Sequence, residues 1–144
     1  MGKIIIYTDG GARGNPGLAG AGYVFMEGDL SKGSGQAKVI HEGKKFLGDN
    51  ITNNWAEYEA VALALKEAGA QGLDKKSIEI RMDSQLVVEQ LSGNWKIKDA
   101  GLKKQATKVR VLLAKFSEYK FVHVPREKNE EADRLVNEAI DEAL

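Results

Sequence analysis

Lys3-Ile4-Ile5-Ile6-Tyr7-Thr8-Asp9-Gly10-Gly11, continuing into Ala12-Arg13-Gly14-Asn15-Pro16-Gly17, is the stretch that decides the fold. A run of β-branched residues stops at a carboxylate and glycines follow it. This is how a buried strand delivers one charged group to the end of a sheet. Residues 3 to 8 are therefore expected to form a central strand, with Asp9 at its end and a glycine-rich turn from Gly10 onward. The rest of the chain can be read as supplying partners for Asp9.

Outward from this strand, Gly20-Ala21-Gly22-Tyr23-Val24-Phe25-Met26 reads as a second and residues from about Gln36 to Leu47 as a third. The turn-rich segment Glu27-Gly28-Asp29-Leu30-Ser31-Lys32-Gly33-Ser34-Gly35 separates them. Short connections make the three an antiparallel meander. The pattern then becomes helical: Trp55, Tyr58, Val61, Ala62, Leu65 and Ala68 recur at helical steps until Gly69 or Gly72. Ser77-Ile78-Glu79-Ile80-Arg81-Met82 alternates as a fourth strand. Asp83-Ser84 opens a short helix that breaks at Ser92-Gly93-Asn94. Past Trp95-Lys96-Ile97-Lys98-Asp99, residues Leu102, Ala106, Val109, Leu112, Leu113 and Phe116 draw one apolar stripe. Tyr119 to Val124 form a fifth strand closed by Pro125, and Ala132, Leu135, Val136, Ala139, Ile140 and Ala143 share one face of a last helix. This order predicts an α/β fold with a five-stranded mixed sheet, its first three strands an antiparallel meander, and helices on both faces. No linker or repeat interrupts it, so residues 1–144 are expected to form a single domain.

With 144 residues, 42% of them hydrophobic, the chain can bury one core without staples. It has no cysteine, so disulfides and thiolate metal sites are excluded. A metal would be held by carboxylates, histidines or carbonyls, which favours Mg²⁺ or Mn²⁺ over zinc. No leader pattern precedes the first strand, and no apolar run approaches the roughly 18 residues that span a bilayer. A cytoplasmic protein without membrane contact is expected. Equal numbers of basic and acidic residues, 21 each, argue against indiscriminate binding of polyanions over the whole surface. The charges are zoned, however. Between Trp95 and Lys120 there are eight basic residues against two acidic ones, and from Glu127 to Leu144 seven acidic against two basic. One face could thus meet a polyanion, although two solvated helix faces would give the same count.

Four carboxylates occupy comparable places. Asp9 ends the first strand, Glu57 lies in the first turn of the long helix, Asp83 ends the fourth strand, and Asp133 lies near the start of the last helix. If the first and fourth strands are adjacent and parallel, their ends lie side by side and all four acids can converge. Such a cluster repels itself and is tolerated when divalent cations neutralise it. Each acid also has an ordinary reading. Asp9-Gly10 suits a turn, Asn54 with Glu57 suits a capping box, Asp83-Ser84 suits a cap, and Asp133 suits a solvated helix. The coincidence of all four at these places favours the cluster.

The chain resembles type 1 ribonuclease H. Thr8-Asp9-Gly10-Gly11 with Gly14-Asn15-Pro16-Gly17, Thr52-Asn53-Asn54-Trp55-Ala56-Glu57, Met82-Asp83-Ser84-Gln85-Leu86-Val87 and Asn129-Glu130-Glu131-Ala132-Asp133-Arg134-Leu135 stand in that family's order. The resemblance implies endonucleolytic cleavage of the RNA strand of an RNA/DNA hybrid, leaving 5′-phosphate and 3′-hydroxyl ends. Two Mg²⁺ or Mn²⁺ ions, about 3.5 to 4 Å apart, would serve the in-line displacement. Asp9 would bridge them, with Glu57, Asp83 and Asp133 completing the shells. The resemblance further implies that Asn15, Asn53, Asn54 and Gln85 contact bases and 2′-hydroxyls, and that Thr52 binds a phosphate of the DNA strand. Asn94 is a candidate phosphate partner and Trp95 a candidate platform for the DNA strand. A monomer is expected.

Two departures stand out. The family often carries a histidine in the loop before the last acid; here Pro125-Arg126-Glu127-Lys128 has none. Arg126 and Glu127 are candidate auxiliaries in its place, whereas His123, inside the expected fifth strand, reads as structural and His41 as peripheral. The basic protrusion that many members insert after the second helix is also missing, leaving Lys96, Lys98, Lys103 and Lys104 as a reduced version. Weaker, salt-sensitive binding of hybrid follows. The competing readings are a catalytically silent hybrid-binding module, a nuclease of this fold acting on another duplex, and a purely structural domain.

Overall fold

The computed structural model describes residues 3–28 and 37–144. Its strands are β1 (Lys3–Arg13), β2 (Gly17–Glu27), β3 (Lys38–Ile51), β4 (Ser77–Met82) and β5 (Glu118–His123). The helices are α1 (Asn53–Ala70), α2 (Gln85–Leu91), α3 (Ala100–Leu113) and α4 (Glu130–Ala143). They build one five-stranded sheet of order β3-β2-β1-β4-β5. β1, β2 and β3 pair antiparallel, while β4 runs parallel to both β1 and β5. The mixed sheet and its meander are as expected, and β1 is central.

β1 does not end at Thr8. Its pairing with β2 continues through Asp9↔Gly22 and Gly10↔Ala21 as far as Arg13↔Leu18. Its pairing with β4 stops at Tyr7↔Arg81. Asp9 is therefore mid-strand on one side and past the last pairing on the other. Gly10 and Gly11 are strand residues, and the turn lies at residues 14–16, where Gly14 adopts φ +85°. The expected turn after Gly28 and the start of the third strand at Gln36 lie outside the described residues.

The glycines of these strands admit helices. A Cβ at Gly10 would sit 2.1 Å from the carbonyl oxygen of Ala56 in α1. One at Gly22, directly opposite Asp9, would sit 2.6 Å from the carbonyl oxygen of Ala132 in α4, and one at Gly20 would sit 2.8 Å from that of Val136. Residues paired across an antiparallel ladder share a face and neighbours along a strand alternate. Gly10 thus admits α1 on one face, and Gly22 admits α4 on the face that carries Asp9.

α1, α2 and α3 share one face, where Ile4, Ile6, Phe25, Ile78 and Ile80 pack with Tyr58, Leu65, Val87, Leu102 and Val109. α4 covers β1, β2 and β3 from the other side. Beyond its reach, the alternation leaves Glu79 of β4 on that second face. Glu79 is only 4% exposed and bonds Lys3 at 2.7 Å and Arg81 at 2.5 Å. Burial alone would raise its pKa, but the hydrogen bonds from Lys3 and Arg81 outweigh this and hold it at about 2. No helix among the described residues is long and apolar enough to cross a membrane.

Candidate active site

Three of the expected acids meet beside β1 where its pairing with β4 ends. Carboxylate oxygens of Asp9, Glu57 and Asp83 lie within 4.8 Å of one another. Asp133 stands outside that group but lines the same cavity of about 500 Å³, as does Arg126. Each acid arrives by a different route. Asp9 comes on the central strand. Glu57, at the start of the second turn of α1, is drawn in by the Gly10 N–H, which donates to its Oε1 at 2.8 Å. Asp83 follows the last residue of β4. Asp133 is in the first turn of α4, where the close approach at Gly22 brings the helix onto β1 and β2.

The ordinary readings of these acids find other residues in their roles. Ser84, not Asp83, caps α2 by accepting from the Val87 N–H at 3.3 Å. Thr52, not Asn54, caps α1 by accepting from the Trp55 N–H at 3.2 Å. Three consecutive residues able to cap stand there, and Glu57 is diverted from a capping box to Gly10.

The site is electrostatically unfinished. Burial raises the pKa of Asp9, and the charges of Glu57, Asp83 and Asp133 raise it further. Glu57 is raised by burial and by Asp83, with the Gly10 N–H and the Arg126 charge acting in the opposite direction. Both acids are under 10% exposed. Oxygen donors crowded this closely present a site for hard divalent cations.

The amides around the acids divide their functions. The Asn15 Oδ1 accepts from the Asn53 N–H at 3.0 Å, and the Asn53 Oδ1 accepts from the Ala12 N–H at 2.8 Å. These bonds tie the β1–β2 turn to the start of α1. Asn54 and Gln85 are exposed in the first turns of α1 and α2. Asn94 bonds the Glu89 carboxylate through its Nδ2 at 3.0 Å. Trp95 is 45% exposed rather than part of the core, and it lines a separate groove with Lys96, Lys103 and Arg110. Beneath that groove a buried chain runs from the Tyr58 hydroxyl to the Gln90 Oε1 at 2.7 Å and from the Gln90 Nε2 to the Lys96 carbonyl at 3.2 Å. Gln90 carries no sequence signal beyond its place at the end of a short amphipathic helix. The cavity also takes in Asn137, one helical turn beyond Asp133, whose Oδ1 accepts from the Arg13 guanidinium at 3.2 Å and which the sequence reading did not single out.

Residues 7–139 match a family model described as reverse transcriptase-like. Ribonuclease HI of Halobacterium salinarum is 43% identical over 142 residues, covering 99% of this chain and 66% of that protein. The chain belongs to the type 1 ribonuclease H family. The crystal structure of the Halobacterium salinarum RNase H1 superposes with a TM-score of 0.86 at 41% identity, covering 97% of this chain and 98% of that one. LC11-RNase H1, from a compost metagenome and crystallised with an RNA/DNA hybrid, gives 0.85 at 45% identity, with 97% and 98% covered. The bifunctional protein Rv2228c of Mycobacterium tuberculosis is 41% identical over 141 residues, 98% of this chain but 36% of its own length. The chain thus spans just under two thirds of one curated relative and about a third of another.

As a ribonuclease H the chain keeps both departures noted from its sequence. The loop before α4 is a single 3-10 turn, Arg126–Lys128, and residues 92–99 pass directly from α2 to α3. His123 lies inside β5 as expected, exposed at its last position. His41 lies in β3, half-buried against Tyr23 and Phe25.

Proposed function

We propose that this ribonuclease H hydrolyses the RNA strand of RNA/DNA hybrids endonucleolytically, with residues 1–144 acting as one cytoplasmic, monomeric domain. The observation that carries this reading is the meeting of Asp9, Glu57 and Asp83 within 4.8 Å, with Asp133 and Arg126 on the same cavity. The hybrid-bound LC11-RNase H1 supports the choice of substrate. The donor set fits two Mg²⁺ or Mn²⁺: every ligand is a carboxylate oxygen, and the buried acids repel one another until cations join them. Asp9, Glu57, Asp83 and Asp133 would hold the ions. Ions bound there supply the charge and the activated water for in-line displacement at phosphorus, leaving 5′-phosphate and 3′-hydroxyl ends.

The chain's own residues supply geometry and recognition. The Gly10 N–H orients Glu57, and Arg126 sets a cation where negative charge develops on the scissile phosphate. Glu127 neighbours Asp133 on the outer side of the site and helps to guide product away. Asn15 and Asn53 turn their amide oxygens inward, which leaves their NH₂ donors for 2′-hydroxyls and base edges in the wide minor groove. Asn54 and Gln85 extend that reading, and the Thr52 hydroxyl meets a phosphate of the DNA strand. Asn94 and Trp95, with Lys96 and Lys103 alongside, receive the DNA strand farther out. An end-labelled hybrid incubated with Mg²⁺ tests the proposal. Cleavage in the RNA strand is expected, abolished by chelator and by Asp9→Asn. Retained hybrid binding without cleavage by the wild-type chain would favour the silent module instead.

A further inference from the structure

Asn129 is 1% exposed, although it belongs to the short connection before α4. Three of its hydrogen-bonding groups reach three parts of the site. Its main-chain N–H donates to the Arg126 carbonyl at 2.9 Å, and its main-chain carbonyl accepts from the Asp133 N–H at 3.1 Å. Its Nδ2 donates to the Thr8 carbonyl at 2.9 Å in a fully buried bond. Thr8 directly precedes Asp9 and lies one residue beyond the last pairing of β1 with β4. One residue therefore joins the three: its side chain holds the strand of Asp9, and its main chain holds the helix of Asp133 and the turn of Arg126.

The bond is made at a cost. An asparagine at this position ordinarily caps its helix, and Thr52, Ser84 and Asp99 each do so for α1, α2 and α3. Asn129 makes no such cap. Its Oδ1 is left buried without a partner, the unfavourable half of an unmade hydrogen bond. Turning the amide over would set its oxygen against the Thr8 carbonyl, which only accepts, and the Thr8 hydroxyl is likewise buried without a partner. A buried polar group left in this state calls for a compensating role.

We propose that Asn129 is a positioning residue that fixes Asp133 and Arg126 against Asp9. The assignment rests on the reading of the four acids as a cation site. Its removal loosens the placement of Asp133 without touching the acids themselves. Groups that orient metal ligands from behind typically change affinity or activity about 10- to 100-fold when lost.

The test uses two variants, Asn129→Ala and Asn129→Ser, the second retaining a short side chain suited to capping α4. Leu135→Ala, buried on the same helix but outside the lining of the acidic cavity, serves as the stability control, and Asp133→Asn as the site control. Mn²⁺ binding to the free protein is followed by electron paramagnetic resonance, alongside kcat, KM for hybrid and thermal melting. Both Asn129 variants are expected to bind Mn²⁺ about 10- to 100-fold more weakly and to lose kcat with KM for hybrid unchanged. Asn129→Ser should do so while melting near the wild type, and Leu135→Ala should melt earlier with Mn²⁺ binding intact. Wild-type Mn²⁺ binding by Asn129→Ser, or equal weakening by Leu135→Ala, would overturn the proposal. If Asp133→Asn weakens Mn²⁺ binding and Asn129→Ser does not, only this assignment falls. If Asp133→Asn leaves binding unchanged while Asp9→Asn weakens it, the cation site stands on Asp9, Glu57 and Asp83 and this assignment falls. If Asp9→Asn also leaves binding unchanged, the cation-site reading falls and takes the assignment with it.

Discussion

The acidic end of the sheet and the basic groove beside Trp95 are built in opposite ways. At the acidic end, main chain meets main chain: α1 lies on Gly10 and α4 on Gly22, at distances that leave no space for a methyl group. Around Trp95, the groove is held by side chains, through Tyr58, Gln90 and Arg110, and its lining is largely exposed. Close backbone packing suits ligands that must stay within fractions of an ångström, as carboxylates around small cations must. Side-chain latches suit a surface that follows a flexible polyanion. The difference teaches that in this chain the geometry of the acidic site resides in the glycines as much as in the acids.

The sharpest way to break this contrast is at those glycines. Gly22→Ala places a methyl 2.6 Å from the Ala132 carbonyl oxygen and 2.7 Å from the Leu135 Cβ, so α4 must shift and Asp133 with it. Cleavage is expected to fall more than about 100-fold, with a stability loss of about 1–3 kcal/mol, read by single-turnover kinetics and urea unfolding. Gly10→Ala should be worse, because its methyl meets the α1 backbone at 2.1 Å. Near-normal cleavage by Gly22→Ala would show that α4 can slide without moving Asp133.

Next in size is Arg126, the one cation lining the acidic cavity besides Arg13 among the described residues. Arg126→Ala should slow the single-turnover rate by about 10- to 100-fold, the usual range for a preorganised charge at such a site. Glu127→Ala, farther out, should affect steady-state turnover more than the single-turnover rate. Unchanged rates in both variants would remove these residues from the reaction. The groove should respond differently: Trp95→Ala is expected to raise KM for hybrid by about tenfold with kcat little changed. Lys96→Ala and Lys103→Ala should each flatten the salt dependence of binding by about one ion. A fall in kcat instead would mean that the groove and the acids are one structural unit.

The order of elements was legible because apolar residues recur with clear periods, from Ile4-Ile5-Ile6 to the stripe of α3. The four acids were legible because each stands where the apolar period breaks or changes, even though β1 runs on past Asp9 to Arg13. The glycines were not. Gly10 after an aspartate reads locally as a turn, since nothing nearby in sequence shows that Ala56 will pass over it. Gly22 looks like a weak spot in a strand until its pairing with Asp9 is known. The cap of α1 was misplaced for a similar reason. Asn54 and Glu57 have the spacing of a capping box, but Glu57 is claimed by Gly10 on a distant strand. Asn129 was visible as part of a motif, while its burial and its bond to Thr8 depend on a contact that spans most of the chain.

The smallest expected effect tests the electrostatic half of the contrast and concerns stability rather than rate. The pKa of Asp9 is raised in the folded chain above its ordinary 3.8, chiefly by burial and then by Glu57, Asp83 and Asp133. An acid raised on folding costs the fold nothing while the unfolded chain also keeps its proton, in strong acid. The penalty appears as pH rises above the unfolded value, because the unfolded state releases its proton more readily than the folded state does. Asp9→Asn removes that penalty. Without divalent cation, the variant should therefore melt about 3 to 10 °C above the wild type at pH 8 and converge with it near pH 3. Added Mg²⁺ should narrow the gap at pH 8 by stabilising the wild type alone. The groove offers the matching control: Lys103→Ala relieves no buried repulsion, and its melting midpoint should move by no more than a surface substitution does at either pH. If Asp9→Asn were no more stable than the wild type at pH 8, the acids would already be balanced by the protein. Arg126 would then be the first charge to examine, because it is the cation that opposes the rise at Glu57.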